Sequence, residues 1–275
     1  KVGLKISLTH VNQRIYGTDG KADCISLAQQ NDPIFPIENE DGTYGPSDPN
    51  SAWHQYQSYG LQLWHPWAVT REISKKDKAL NAMANAYVEW NIMKGLVFKS
   101  SINALSTDRH YSDFRNEGQN YGWSGIQIAE ANANTYLTEN WLWGNTLNYN
   151  RIFGKHAIGV MLGYTMQKNV YETEYMTSQN FPNNFVKTLN AGKPSAGGTT
   201  EEDWGLLSYI GRLNYIYNDR YLLTATLRRD GCSRFGKNNK WGYFPSISTA
   251  WKIKEEPFLM NVDWLSSAKI RLSYG

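Results

Sequence analysis

Several things are scarce in these 275 residues. There are two cysteines, Cys24 and Cys232, too few for a disulfide framework. There are five histidines, His10, His54, His65, His110 and His156. No two of them stand at metal-site spacing and neither cysteine sits in a C-x-x-C, so a built metal centre is not expected. Net charge is close to nil, 28 Lys and Arg against 25 Asp and Glu, which argues against nucleic acid as a partner. No run of 18 apolar residues occurs, which excludes a membrane-spanning helix. It does not exclude a membrane β-barrel, whose alternating strands hide their apolarity from any average. Tyr and Trp, by contrast, are abundant, at 18 and 11. Their amphipathic rings suit places where an apolar medium meets water.

Helical periodicity is almost missing, while alternation with period two recurs. Val2, Leu4, Ile6 and Leu8 oppose Gly3, Lys5, Ser7 and Thr9. Leu80 through Ile92 alternates likewise, turns at Met93-Lys94-Gly95, and resumes with Leu96, Phe98 and Ile102. Trp141, Trp143, Leu147 and Tyr149 share a face, as do Ile158, Val160, Leu162, Tyr164 and Met166. Later runs carry Leu207 to Tyr217, Tyr221 to Leu227, Ile247 to Ile253, and Ile270 to Tyr274. The pattern predicts about nine antiparallel strands.

Lys5, Glu89, Lys99, Arg212 and Arg228 fall on the polar side of their strands, beside Lys252 and Arg271. The connections alternate long and short. About sixty residues (roughly 17–77) precede a three-residue turn, about thirty precede five, about thirty-five precede three, then about ten and about fourteen follow. Sorting of long loops to one end and short turns to the other characterises outer-membrane barrels rather than sandwiches. The fold expected is therefore all-β, an antiparallel transmembrane β-barrel segment with long outer loops and short periplasmic turns. The charged set would face the lumen and Trp141 and Trp143 the lipid. Opening and closing inside alternating runs, without an initiating Met or a targeting segment, the chain reads as a piece of a longer protein.

From Gly211 the sequence runs GRLNYIYNDRYLLTATLRRDGCSRFGKNNKWGYFPSISTAWKIKEEPF, and it ends WLSSAKIRLSYG. This closely resembles the barrel of the SusC/RagA family of TonB-dependent outer-membrane transporters of Bacteroidetes type. The habitual segments of that family take the forms N-Y-x-Y-x-D-R-Y-L-L-T, R-R-D-G-S-S-R-F-G, W-G-Y-F-P-S and L-K-x-R-x-S-Y-G. The match is specific over roughly 205–275 and weaker over 78–168; Cys232 stands where Ser is usual. The resemblance implies that 1–275 is part of a large barrel in the cell outer membrane. It further implies an N-terminal plug, a SusD-like surface lipoprotein, TonB as energy source, and an oligosaccharide or peptide as cargo. Neither plug nor TonB-contacting segment is read in this chain.

No catalytic or cofactor-binding pattern is found. Ile37 to Asp48 fails as an EF-hand, because Ile37 would hold the first ligand position. The Gly-rich stretches 192–198 and 231–242 do not follow the phosphate-loop spacing. Glu201-Glu202-Asp203 and Glu255-Glu256 are merely adjacent, and G-x-S-x-G is absent. The best candidates for ligand contact are loop aromatics: Trp53, Tyr56, Tyr59, Trp64 and Trp67 in the first long connection, and Tyr111, Tyr121 and Trp123 in the second. Flat rings beside amides and carboxylates suit sugars or peptide side chains; the same rings could instead pack loops on one another. Cys24 and Cys232 both fall on the outer side, where an oxidising exterior permits a bond. Two other readings stay open, a soluble secreted glycan-binding β domain and a passive porin-like barrel.

Overall fold

The computed structural model of the chain describes residues 1–15, 24–30, 37–38, 66–72, 74–115, 119–121, 124–126 and 128–275. Nine strands form one continuous antiparallel sheet: β1 (Val2–Ile15), β2 (Ser74–Met93), β3 (Leu96–Arg115), β6 (Glu130–Phe153), β7 (His156–Gln179), β8 (Lys193–Tyr217), β9 (Tyr221–Cys232), β10 (Trp241–Trp251) and β11 (Ile270–Tyr274). Each pairs with its neighbour in sequence order. A small hairpin, β4 (Gln119–Tyr121) and β5 (Ser124–Ile126), sits in the connection between β3 and β6. Two short helices, α1 (Cys24–Gln30) and α2 (Pro66–Glu72), lie between β1 and β2.

Tight turns join the strands at one end, the turn end. Gly95 has φ of 86°, while Asn218 and Asp219 have φ of 50° and 53°. Consecutive left-handed residues match the twist of the flanking strands, and Asn and Asp tolerate that region best after Gly. The last connection at this end, 252–269, is longer but tied down. Glu256 accepts from the Tyr221 hydroxyl (2.7 Å), the Trp251 indole (3.0 Å) and Arg220 (3.3 Å).

At the opposite, loop end the strands run much further than the alternation indicates. β7 and β8 pair from His156↔Tyr217 to Gln179↔Lys193, so most of 168–204, expected as a long loop, is strand. Both faces are polar there, which erases the period-two signal without weakening the backbone ladder. β9 and β10 do not follow: β9 ends at Cys232, paired with Leu206. Beyond this step, among the described residues, β8 is paired only with β7.

Register sorts the side chains into two faces. Residues paired across the sheet share a face, and one row reads Phe153, His156, Tyr217, Tyr221, Trp251, Ile270. The next rows towards the loop end hold Ile158, Leu223 and Leu272, then Val160, Leu213 and Ile247, then Leu162 and Leu227. No described helix or second sheet packs over them. Leu4 is 70% exposed, Leu162 56% and Leu272 71%, whereas a water-soluble sandwich buries such a face against a second layer.

Rings bracket this band. At the turn end Phe153, His156, Tyr217, Tyr221 and Trp251 follow one another at centroid spacings of 5.6, 5.0, 6.2 and 6.3 Å. Towards the loop end Trp143, Tyr164, Tyr209 and Trp241 do the same at 6.0, 5.3 and 6.2 Å. Trp241 and Trp251 are ten residues apart on one strand. That is about 33 Å of strand, or roughly 25 Å of height at the tilt of a membrane barrel. The tilt is visible in the register. The band reaches Leu8 on β1 but only Leu207 on β8, four residues short of Asp203 in the Leu8 row, over five strand steps. At ~3.3 Å per residue and ~4.8 Å per strand this slope is about 30°, near the 35–45° of such barrels.

The one buried apolar cluster among the described residues lies elsewhere, at the loop-end tips of β3, β6 and β7. Phe114 (2% exposed), Ala129, Ala131 and Phe181 form it, with Leu189 and Ala191 against them. The segment 180–192 supplies the cover, through the edge-to-face contact of Phe181 with Phe114 at 5.1 Å.

Candidate functional site

The other face of the sheet is hydrogen-bonded across its strands. In its middle, Asn85 pairs with Asn103, the Thr107 hydroxyl donates to Asn81 (2.9 Å), and Asn140 donates to Asn169 (3.2 Å). Near the turn end the Thr224 hydroxyl donates to Asn214 (2.9 Å). These are short amide and hydroxyl side chains, each with both donor and acceptor capacity. They tile a strand surface while leaving hydrogen-bonding capacity over for a polar ligand.

Towards the loop end the same face becomes ionic. Arg109 reaches Asp77 with two bonds of 2.8 Å, and Gln13 adds a third at 3.2 Å. Asp77 lies beyond Leu80, the limit of the apolar band on β2. Its carboxyl is held below the ordinary range, first by the Arg109 hydrogen bonds. Asp113, nine residues beyond Ala104 on β3, shifts the other way: burial raises it, against Arg115 and Lys75. Two carboxyls on one wall thus differ in their readiness to lose a proton. Next to them Glu130 accepts from Asn132 (3.0 Å) and Gln179 (2.8 Å), and Asn132 accepts from Thr177 (2.7 Å). The arrangement is a graded wall, neutral near the turns and charged near the loops.

Of the residues singled out from sequence, Lys5, Glu89, Lys99, Arg212 and Arg228 all stand on this polar face. Glu89, Lys99 and Arg228 share one row. Arg228 donates to Asp230 (2.7 Å) and Ser208 (3.4 Å), and Arg212 to Thr226 (3.4 Å). Glu89 is paired with Lys1 at 3.1 Å, and the Lys99 ammonium lies over the Tyr87 ring at 5.0 Å. The charged group around Asp77, Arg109, Asp113 and Glu130 is not among the sequence candidates. Its signal is the shared parity of Lys75 and Asp77, of Arg109, Asp113 and Arg115, and of Glu130 and Asn132.

The aromatic candidates divide. Tyr111 is not in a loop but within β3, on the polar face, paired with Asp77 and Asn134. The strand continues through it because both neighbouring strands extend as far. Trp67 is on α2, 44% exposed, with the Arg71 guanidinium 4.8 Å above its ring. Tyr121 is in β4, its side chain outside the described residues, as are Trp53, Tyr56, Tyr59, Trp64 and Trp123 altogether. Trp141 and Trp143 are on the apolar face. Cys24 opens α1 and Cys232 closes β9, and the structure holds both as thiols. Among the described residues no group of three His, Cys, Asp or Glu could hold a metal ion.

No family model matches the chain. It is 34% identical over 265 residues to the TonB-dependent receptor P3 of Formosa agariphila, an alignment covering 94% of the chain and 25% of that protein. It is 59% identical over 70 residues to the TonB-dependent receptor SusC of Bacteroides thetaiotaomicron, covering 26% of the chain and 7% of SusC. The chain belongs to the SusC/RagA family of TonB-dependent receptors. Its fold is that of the RagAB peptide transporter, with a TM-score of 0.76 at 20% identity over 99% of this chain and 30% of that one. The chain spans about a quarter of the length of the first of these relatives. The nine-stranded sheet, with its bare apolar face and its graded polar face, is thus a segment of such a barrel wall.

Proposed function

We propose that residues 1–275 form part of the barrel domain of an outer-membrane importer of SusC type. Further strands and a plug would complete it, TonB would power it, and a SusD-like surface lipoprotein would cap it. Its cargo is an oligosaccharide or a peptide. Transport across the membrane, without making or breaking covalent bonds, is the work of such a wall. The observation that carries this reading is the two-faced sheet: an exposed apolar band between two ring girdles, backed by a continuous hydrogen-bonding wall. Asn, Thr and Gln on that wall suit the hydroxyls of sugars and the amides of peptides alike. Lys5, Glu89, Lys99, Arg212 and Arg228 then face the lumen, where they hold the plug or solvate the path. Trp67 and Tyr111, with Trp53, Tyr56, Tyr59, Trp64, Tyr121 and Trp123, are the aromatic contacts proposed for cargo or lipoprotein at the outer mouth. The likeness to RagAB, a peptide transporter, favours a peptide as the cargo.

Uptake of isotope-labelled oligosaccharide and peptide pools tests the proposal in cells carrying the full-length gene. Deleting either the receptor or TonB should abolish uptake of one pool. Uptake that survives loss of TonB but not of the receptor marks a passive porin. A full-length protein found in the medium, with uptake unaffected by its deletion, marks a soluble β domain.

A further inference from the structure

Arg228 and Arg229 are adjacent on β9 and point to opposite sides of the sheet. Arg228 is engaged by Asp230 and Ser208 at the polar face. Arg229 stands on the apolar face, in the row of Tyr209 and Tyr243, one row beyond Leu227. Its guanidinium carbon lies 4.2 Å from the ring centre of Trp241 and 5.3 Å from that of Tyr243. Among the described residues no carboxylate pairs with it, and its Nε is buried without a hydrogen-bond partner. A ring face attracts a cation but does not satisfy guanidinium donors as an oxyanion does. A charge facing lipid is costly except near the interfaces, and Arg229 lies beside the loop-side girdle, where headgroups begin.

The step between β8 and β9 makes a notch beside it, of about 480 Å³. Trp141, Met166, Leu207 and Trp241 wall the notch, and Lys168 and Lys240 border it. Lys168 is partly engaged by Asp203 at 3.3 Å. Gly231 makes the wall possible, since a Cβ there would stand 2.8 Å from the Trp241 ring. Trp241 joins the two features, walling the notch while its face carries Arg229.

We propose that this is a seat for a phosphate-bearing lipid of the outer leaflet. Its acyl chains lie on Met166, Leu207 and Trp241, and its phosphate accepts from Arg229, with Lys240 as a second cation. Phosphate supplies the oxygens that the guanidinium fork lacks, through charge-assisted bonds. A lipid, rather than a free anion, is indicated because most of the notch wall is apolar and continuous with the bare face, while the Asp203 carboxylate, with Gln167 and Ser233, completes the lining. The inference rests on the outer-membrane reading above.

The test uses the full-length receptor purified in dodecyl maltoside. Native mass spectrometry compares its binding of monophosphoryl lipid A with that of the same lipid after dephosphorylation. The wild type should prefer the phosphorylated lipid roughly tenfold or more, the scale of one charge-assisted hydrogen bond. Arg229→Gln should remove the preference and Arg229→Lys should keep part of it, with heat-modifiable assembly unchanged in both. A wild type without the preference, or a preference undiminished in Arg229→Gln, overturns the seat. So does full displacement of the lipid by millimolar inorganic phosphate, the behaviour of a simple anion site. Wild-type protein that fails to fractionate with outer membranes overturns the membrane reading along with the seat.

Discussion

Two apolar patches on one side of the sheet are treated in opposite ways. Around Leu162 and Leu227 the side chains stand bare, bracketed by rings. Around Phe114 and Ala131, at the far tips of neighbouring strands, the segment 180–192 folds over to bury them. Backbone pairing is alike in both places, so strand geometry does not explain the difference. The surrounding medium does. Where lipid bathes the sheet, the apolar face needs no cover; where water does, the protein must supply one.

Exchanging the two treatments is the sharpest way to test the comparison. Phe114→Ala removes the centre of the covered patch and should cost about 3–5 kcal/mol locally. Amide exchange over 181–191 should speed up while assembly into membranes persists; unchanged protection would mean that the cover is held by something else. Leu162→Arg puts a charge in the bare band, at a cost of about 2–4 kcal/mol near the midplane. Val170→Arg, eight residues along the same face of β7 and beyond the band, should be tolerated. Equal amounts of both full-length variants in outer membranes would break the band assignment. Thr226→Arg, on the polar face, should also assemble better than Leu162→Arg.

Smaller effects probe the polar wall and the turn end. Asp77→Ala leaves a half-exposed Arg109 without its acceptor and should cost about 1 kcal/mol, discounted for solvent. Chemical denaturation of the full-length protein, beside Arg109→Ala and the double variant, would measure the coupling. At Glu256 the carboxyl is held below its usual range by the Tyr221 hydroxyl first, then by Trp251, with Arg220 adding to it. A depressed folded-state value means the anchorage is complete above the ordinary glutamate range and lost as pH falls through the depressed value. Exchange over 252–262 should therefore accelerate in acid, and Glu256→Gln should flatten that dependence. An equally steep profile in the variant would assign it to another group.

The same contrast explains how much of the wall is legible in the sequence. Within the band one face is apolar and the other is not, so Ile158, Val160, Leu162 and Tyr164 alternate without interruption and give away strand, face and parity together. Lys5, Glu89, Lys99, Arg212 and Arg228 could be placed on the polar side for that reason. Beyond the band water wets both faces. On β7, Lys168, Glu172 and Glu174 stand on the side that Leu162 occupies lower down, opposite Asn169, Tyr171 and Thr173. No period survives, and the long ladder there reads as loop; Tyr111 is misplaced by the same loss of signal. The Asp77–Arg109 pair is hidden for a second reason. Its partners are 32 residues apart, and only the register of β2 on β3 brings them together.

The step at β8 leaves one edge of that long ladder bare. Among the described residues, no strand pairs with Lys193–Trp204 on the side away from β7, and an unpaired edge is a template on which another chain can add a strand. This edge carries Pro194, which has no amide hydrogen to offer, and the run Glu201-Glu202-Asp203. Two of the three acids have cations near them, Glu202 with Arg234 at 3.9 Å and Asp203 with Lys168 at 3.3 Å. A second copy docking antiparallel on the same edge, in the register centred on Glu202, would still set acid run against acid run at close range. Three adjacent acids on a bare edge thus disfavour that self-pairing by like-charge repulsion.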